Sequence, residues 1–216
     1  MSNITIVLAA DTGYAEQVHT LMKSICTHNT NVDFYLMHNT FRREWIDYTN
    51  QKLAASGNRL NDVKIEVNFS QYRRLSHISD AAFFRLMMQH LPVDRALYLD
   101  SDMVVTQSLH DLFNLDMRGY PVAAVQDSVL ARTEWEHPID LHTTPYFNSG
   151  MLLADLAQWR EHNIAEQLLK TAACLNEAVP YGDQCFLNTV FRKSWLELNE
   201  SWNFQTGAVE YFQKRN

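Results

Sequence analysis

Residues 96–105 read Ala-Leu-Tyr-Leu-Asp-Ser-Asp-Met-Val-Val. Two carboxylates, Asp100 and Asp102, interrupt a run that otherwise has the composition of a buried strand. Strand side chains alternate faces, so the spacing predicts that both acids share one face and Ser101 takes the other. Like charges side by side at the end of an apolar strand are costly unless a cation or several donors neutralise them. Hard oxygen ligands so spaced suit Mn²⁺ or Mg²⁺, with a bound diphosphate completing the shell. An Asp-x-Asp pair also fits a helix cap or a solvated turn. The apolar approach through Leu97 and Leu99 and the apolar exit through Val104 and Val105 set this one apart.

Strand and helix patterns alternate on either side of this stretch. Upstream, Ile4–Ala9 reads as a buried strand, and Val18, Leu21, Met22 and Ile25 follow at helical spacing. Val32–Met37 reads as a second strand, and Arg42–Ala55 as a helix stopped by Ser56-Gly57. Val63–Val67 alternates like a third strand. Ser79-Asp80 is placed to cap a helix with Phe84, Met87, Met88 and Leu91 on one face, ended by Pro92. Arg95–Leu99 then leads into the acidic pair. Downstream, Val122–Val125 is a short strand before Asp127, and residues 128–145 read as a loop. Phe147–Leu153 reads as a strand entered through the polar turn Asn148-Ser149-Gly150. Ile164, Leu168, Ala172 and Leu175 mark a further helix, and Gly182-Asp183-Gln184 opens the last one.

This order predicts an α/β protein with a mainly parallel central sheet covered by helices on both faces. Ligands of such sheets bind beyond the carboxyl ends of the strands. Asp11, after the first strand, and the acidic pair, after the fourth, are expected at that edge together. At 216 residues, and without a repeat or linker, the chain is expected to form a single domain, 1–216.

Apolar residues make up 46% of the chain, charged residues 20%, and the net charge is −7. That balance disfavours nucleic acid and anionic membranes as partners. No apolar run approaches a membrane span, and the N-terminus lacks the positive region of a signal peptide. Cys26, Cys174 and Cys185 form no CxxC pair and lie in helical segments. Buried reduced thiols and a cytoplasmic location are expected. The nine histidines show no metal-ligand pattern; His137 and His142 share one loop and read as surface residues. Trp135, Trp159, Trp195 and Trp202 read as packing residues.

Several other residues carry two readings. Asp11 and Tyr14 are a loop acid and a helix-start tyrosine, or a carboxylate and a ring that bind a nucleotide base. Asn148-Ser149-Gly150 is a simple turn, or a sugar contact at which glycine permits close approach. Asp183 suits an N-cap, and a cap also fixes side chains as a reaction centre requires.

In order, these segments resemble the retaining glycosyltransferases of family 8, which have the GT-A fold. Residues 6–14, Ile-Val-Leu-Ala-Ala-Asp-Thr-Gly-Tyr, are similar to that family's uridine-binding opening. Ser79–Leu86 is similar to its helix bearing a donor-binding arginine, here Arg85. Tyr98–Asp102 is similar to its metal-binding segment, and Asn148–Leu153 and Gly182–Gln184 to two later signatures. The resemblance implies that Ala9, Ala10, Asp11, Tyr14 and Ile78 line a uridine pocket, with Asp100 and Ser101 also at the nucleotide. It implies that Asp100 and Asp102 hold Mn²⁺ (or Mg²⁺) against the UDP phosphates. Arg85, Asp102, Asn148, Ser149 and Gly150 are implied at the donor sugar, and Asp127, Asn148, Asp183 and Gln184 around its anomeric carbon.

The implied reaction moves a hexose from UDP-glucose or UDP-galactose to a saccharide, glycolipid or glycoprotein hydroxyl, with retention. Gln184 is expected to position the sugar and stabilise charge rather than act as nucleophile. Two departures stand out. Gly13 replaces a polar residue common in relatives. The family's later His-x-x-Gly-x-x-Lys-Pro-Trp segment, which supplies a third metal ligand and a lysine, does not follow Trp202–Gln205 before Asn216. Either the chain is a truncated form, or it binds metal through fewer protein ligands, with weaker donor binding and competing hydrolysis as the expected consequences. A nucleotide-sugar-binding homologue without turnover is the alternative. A haloacid dehalogenase-type phosphatase also uses an Asp-x-Asp pair, but after its first strand.

Overall fold

The computed structural model describes residues 3–67, 69, 80–130, 145–175, 179–207 and 209. Seven strands form one sheet: β1 (Ile4–Ala9), β2 (Val32–His38), β3 (Arg59–Lys64), β4 (Arg95–Leu99), β5 (Val122–Gln126), β6 (Phe147–Asp155) and β7 (Leu196–Leu198). Their spatial order is β3-β2-β1-β4-β6-β5-β7. Only β6 runs against its neighbours, pairing antiparallel with both β4 and β5. The expected mainly parallel α/β sheet is what the chain forms.

Alternation along the inner strands sends side chains into two cores, one on each face. Ile4, Ile6 and Leu8 of β1 and Leu97 and Leu99 of β4 join one face. There they meet α1 (Ala15–His28) through Val18, Leu21, Met22 and Ile25, and α2 (Arg43–Ala54) through Ile46 and Leu53. Each such fully buried aliphatic contributes about 1.5–3 kcal/mol. A short helix, α3 (His110–Phe113), closes that face with Leu112 and Phe113. The opposite face holds Val7 and Ala9 of β1 and Ala96 and Tyr98 of β4. It is covered by α4 (Leu156–Glu161), α5 (Ile164–Leu175), α6 (Gly182–Val190) and a 3-10 helix at Asp80–His90.

The structure corrects four expectations. The third strand spans Arg59–Lys64, not 63–67. Its register is set by polar clamps: Arg59 bonds Asp33 of β2 at 2.6 Å, and Asn50 holds Leu60 through both main-chain groups. Residues 80–90 form a 3-10 rather than an α-helix; Phe84, Met88 and Leu91 are buried, while Met87 is half-buried. Asn148-Ser149-Gly150 is not a turn into β6 but part of it. Of the thiols, Cys185 is buried, Cys26 half-buried and Cys174 exposed. Trp159 is a core residue, and Trp195 and Trp202 pack beside the two cores. Ile78, Ser79, Trp135, His137, His142 and most of the expected 128–145 loop lie outside the described residues.

Candidate active site

The carboxyl ends of β1 and β4 stand side by side because the two strands pair in parallel, Ile6 opposite Leu97 and Val7 opposite Tyr98. Beyond them the chain leaves the sheet on each side. Ala10 still bonds Met37 through its N–H, 3.2 Å. Asp11 then caps a 3-10 turn, Thr12–Tyr14, by accepting from Gly13 N at 2.8 Å. On the β4 side the strand ends at Leu99, and Asp100–Asp102 form a turn. The acids are therefore brought to one place by a turn, not by strand alternation. Ser101 stays in the same place: its hydroxyl donates to Ala9 O at 3.2 Å and joins the two strand ends.

A cavity of about 330 Å³ opens at this edge. Ala9, Ala10 and Tyr14 line it from the end of β1 and the turn beyond, and Asp100, Ser101 and Asp102 from the turn after β4. Arg85 enters from the 3-10 helix, Ser149 from β6, and Asp183 and Gln184 from the start of α6. Asp11, Asp127, Asn148 and Gly150 do not line it. Ala81, Ala82 and Tyr181 also line the cavity. Nothing in their local sequence marks them out; helix packing alone carries them there.

Arg85 is the hub. It is 5% exposed. Its guanidinium reaches Ser149 O (2.7 Å), Ala82 O (2.9 Å), Asp100 Oδ1 (2.8 Å) and Asp183 Oδ2 (3.1 Å). It also stacks on the Tyr98 ring, 4.5 Å from the centroid. Burial works against its charge, but Asp100, Tyr98 and Asp183 more than compensate, so its pKa is raised and it stays a cation. A planar fork with five donors is what allows one residue to bond two carbonyls and pair with two carboxylates at once.

Asp100 is tied at both its main chain and its side chain. Its N–H bonds Gly150 O at 2.8 Å, and its Oδ1 accepts from Tyr98 Oη at 2.8 Å as well as from Arg85. Gly150 is required by proximity and not by backbone angle: a Cβ there would lie 2.9 Å from Asp100 Oδ2 and 3.0 Å from Asn148 Oδ1. The close approach that the glycine permits within the protein is thus that of Asp100. Burial, opposed by Arg85 and helped by Asp100, holds the Tyr98 phenol well above its usual range, which keeps it a donor.

Asp183 does not cap α6. Tyr181 occupies the cap position without capping the helix through its side chain, and Gly182, at φ +47°, turns the chain into the helix. Asp183 is 6% exposed. Arg85 Nε is close to its Oδ2, but that N–H also bonds Ala82 O, and among the described residues Oδ2 has no aligned hydrogen bond. Burial, with Asp100 adding to it and Arg85 opposing, pushes its pKa up to about 6. Burial and then the charge of Asp100 also raise Asp102.

Behind the cavity a hydrogen-bonded row joins four segments. Gln184 Oε1 accepts from Ser149 N (3.0 Å), and its Nε2 donates to Asp127 Oδ2 (3.2 Å). Asp127 Oδ1 accepts from Val129 N and Leu130 N. Asn148 Oδ1 accepts from Asn203 Nδ2 at 3.0 Å. Gln205 bonds Ser128 N and Gln126 O, at 2.9 and 3.0 Å. Asn203 and Gln205 were not expected at the site. Their amides are its link to residues 203–205, and only their pairing across the fold reveals it.

Two carboxylates, Asp100 and Asp183, are thus paired with one guanidinium, and a third, Asp102, lines the same cavity. Among the described residues no three His, Cys, Asp or Glu side chains cluster as a metal site. The donor set still fits a hard divalent cation: Asp100 Oδ2 has no aligned hydrogen bond among the described residues, and Asp102 lines the same cavity with a carboxyl destabilised by burial and by Asp100.

A model of glycosyl transferase family 8 matches residues 5–215. The chain belongs to glycosyltransferase family 8. Among curated relatives, the glycosyltransferase GlyF of Streptococcus pneumoniae is 37% identical over 209 residues, covering 96% of this chain and 50% of that protein. GlyB of the same organism is 36% identical over 210 residues, covering 96% of this chain and 49% of that protein. The chain spans about half the length of these relatives or less. Its structure matches the crystal structure of GlyE from Streptococcus pneumoniae with a TM-score of 0.80 at 29% identity, over 99% of this chain and 50% of that one. It matches galactosyltransferase LgtC, solved with donor and acceptor sugar analogues, with a TM-score of 0.82 at 28% identity, over 91% and 74%. The family 8 fold leaves no place for the phosphatase reading, in which the acidic pair follows the first strand. Among the described residues, no helix is long and apolar enough to cross a membrane.

Proposed function

We propose that this family 8 chain is a single retaining hexosyltransferase domain that moves a hexose from UDP-glucose or UDP-galactose to a sugar hydroxyl. The observation that carries the reading is the cavity that unites the ends of β1 and β4 with Arg85, Asp183 and Gln184. Ala9, Ala10, Asp11 and Tyr14 would receive the uridine, with the Tyr14 ring, 38% exposed, free to stack on the base.

Asp100 and Asp102 would hold Mn²⁺ or Mg²⁺, and that ion would neutralise charge on the departing diphosphate. Arg85 keeps Asp100 and Asp183 in place and brings one positive charge to an otherwise acidic site. Asp183, which lines the cavity and is held beside Arg85, would stand at the donor sugar. Gln184, fixed by Ser149 and Asp127, would stand at the anomeric carbon as a neutral dipole, with Asn148 beside it. The bond from C1 to the diphosphate oxygen breaks, and a bond from the acceptor oxygen to C1 forms on the same face. The acceptor proton leaves with the diphosphate. An active-site glutamine-to-glutamate mutant of LgtC has been crystallised, which supports looking for the function of this chain at its own cavity glutamine.

Acceptors would be saccharides, alone or on a lipid or protein. Three free thiols suit a reducing compartment, and the cytoplasm is the proposed location. Incubating the protein with UDP-glucose or UDP-galactose and Mn²⁺, with water or simple sugars as acceptor, tests the reading. UDP release that needs Mn²⁺ is expected. No release from either donor favours the binding-only alternative.

A further inference from the structure

Two donors converge on one oxygen of Asp100. Arg85 Nη2 and Tyr98 Oη both stand 2.8 Å from Oδ1. Oδ2 receives neither. It faces Gly150, where an added Cβ would lie 2.9 Å away, and the main chain beneath is held by the 2.8 Å bond from Asp100 N to Gly150 O. Tyr98 is itself fixed. It is 1% exposed, it lies on β4 two residues before Asp100, and the Arg85 guanidinium covers its ring.

We infer that Tyr98 is a positioning residue: with Arg85 it occupies Asp100 Oδ1, so that Asp100 offers a divalent cation one oxygen, Oδ2, in a fixed direction. The inference rests on the reading that Asp100 and Asp102 hold that cation. A carboxylate oxygen that already accepts from a guanidinium and a phenol has its lone pairs committed away from the cavity. One-oxygen ligation leaves coordination positions for Asp102, for diphosphate oxygens and for water, which a small octahedral cation requires. Groups that orient a ligand in this way commonly change metal affinity by about 10-fold or more when removed. Gly150 is the second part of the device, because only a residue without a Cβ leaves Oδ2 its place.

Tyr98→Phe tests this, since it keeps the ring, its packing and its stack on Arg85 and removes only the hydroxyl. Mn²⁺ is titrated into the full chain with UDP present, and free and bound ion are followed by electron paramagnetic resonance. The expected result is Mn²⁺ bound by the wild type, with affinity about 10-fold weaker in Tyr98→Phe and an altered hyperfine pattern for the ion that remains bound. Equal affinity and an identical spectrum in wild type and variant would overturn the inference and leave the transferase reading standing. A wild type that binds no Mn²⁺ would overturn both. Should Tyr98→Phe fail to fold, Gly150→Ala applies the same test from the other side of the carboxylate. It is expected to weaken Mn²⁺ similarly, and unchanged affinity there would overturn the inference.

Discussion

Gln184 and Asp127, 57 residues apart in the chain, meet side chain to side chain, with Nε2 donating to Oδ2 at 3.2 Å. The other end of the same amide accepts from Ser149 N at 3.0 Å. A carboxylate only accepts and a main-chain N–H only donates, so the two contacts dictate which way the amide points. α6, β6 and the end of β5 are thereby locked together behind the cavity.

Gln184→Glu replaces that donor with a second carboxylate facing Asp127. The new acid would titrate above its unfolded value, so its cost is absent at low pH and grows as pH rises. We expect the variant to match the wild type at about pH 4, below the ordinary glutamate value, and to be less stable by about 1–3 kcal/mol at pH 8. Urea denaturation at both pH values checks this, and equal stability at pH 8 would mean that the pair does not form.

Asp183 carries a pH signature of its own. Its folded pKa of about 6 lies above its ordinary 3.8. The folded state therefore binds the proton more tightly, and stability falls as pH rises between these values. At about 1.4 kcal/mol per unit, the loss is at most about 3 kcal/mol in metal-free protein. Asp183→Asn should flatten this decline. Denaturation with chelator at pH 4 and pH 7 compares the two slopes, and parallel slopes would contradict the assignment.

Much of the molecule was legible from periodicity. β1, β4 and the buried stripe of α1 follow apolar spacing without interference from elsewhere, and parallel pairing then brings Asp11 and the acidic pair to one edge. What misled was polar chemistry settled at long range. Val63, Ile65 and Val67 alternate like a strand, yet the Asp33–Arg59 pair and the Asn50 clamp place β3 earlier. Asn148-Ser149-Gly150 has the composition of a turn. It lies in a strand because Arg85, Gln184 and Asn203 satisfy its polar groups. Strand alternation was also the wrong reason for the acids' meeting place, since a turn brings Asp100 and Asp102 there. The parts that Asn203 and Gln205 play have no local signal, because each depends on a partner at least 55 residues away.

Gln205→Ala removes two hydrogen bonds and leaves Ser128 N and Gln126 O to find other partners. A loss of about 1–3 kcal/mol is expected. Hydrogen exchange at Ser128 should accelerate with it. An unchanged exchange rate at that amide would show that the 203–205 segment does not hold the end of β5.

Arg85→Leu leaves Asp100 and Asp183 buried beside one another without their cation. Breaking such a pair costs about 3–5 kcal/mol. Combining it with Asp183→Asn should recover part of that loss, so the double variant is expected to be more stable than the sum of the singles predicts. Strict additivity in chemical denaturation would contradict the coupling seen in the structure.

The central claim is that Asp100 and Asp102 hold a divalent cation against a nucleotide diphosphate at the edge of the sheet. Titration calorimetry of UDP, with Mn²⁺ and with chelator, on the wild type and on Asp102→Ala measures it most directly. UDP binding that requires Mn²⁺ and disappears in Asp102→Ala is the predicted result. Equal UDP affinity with and without the metal would contradict it.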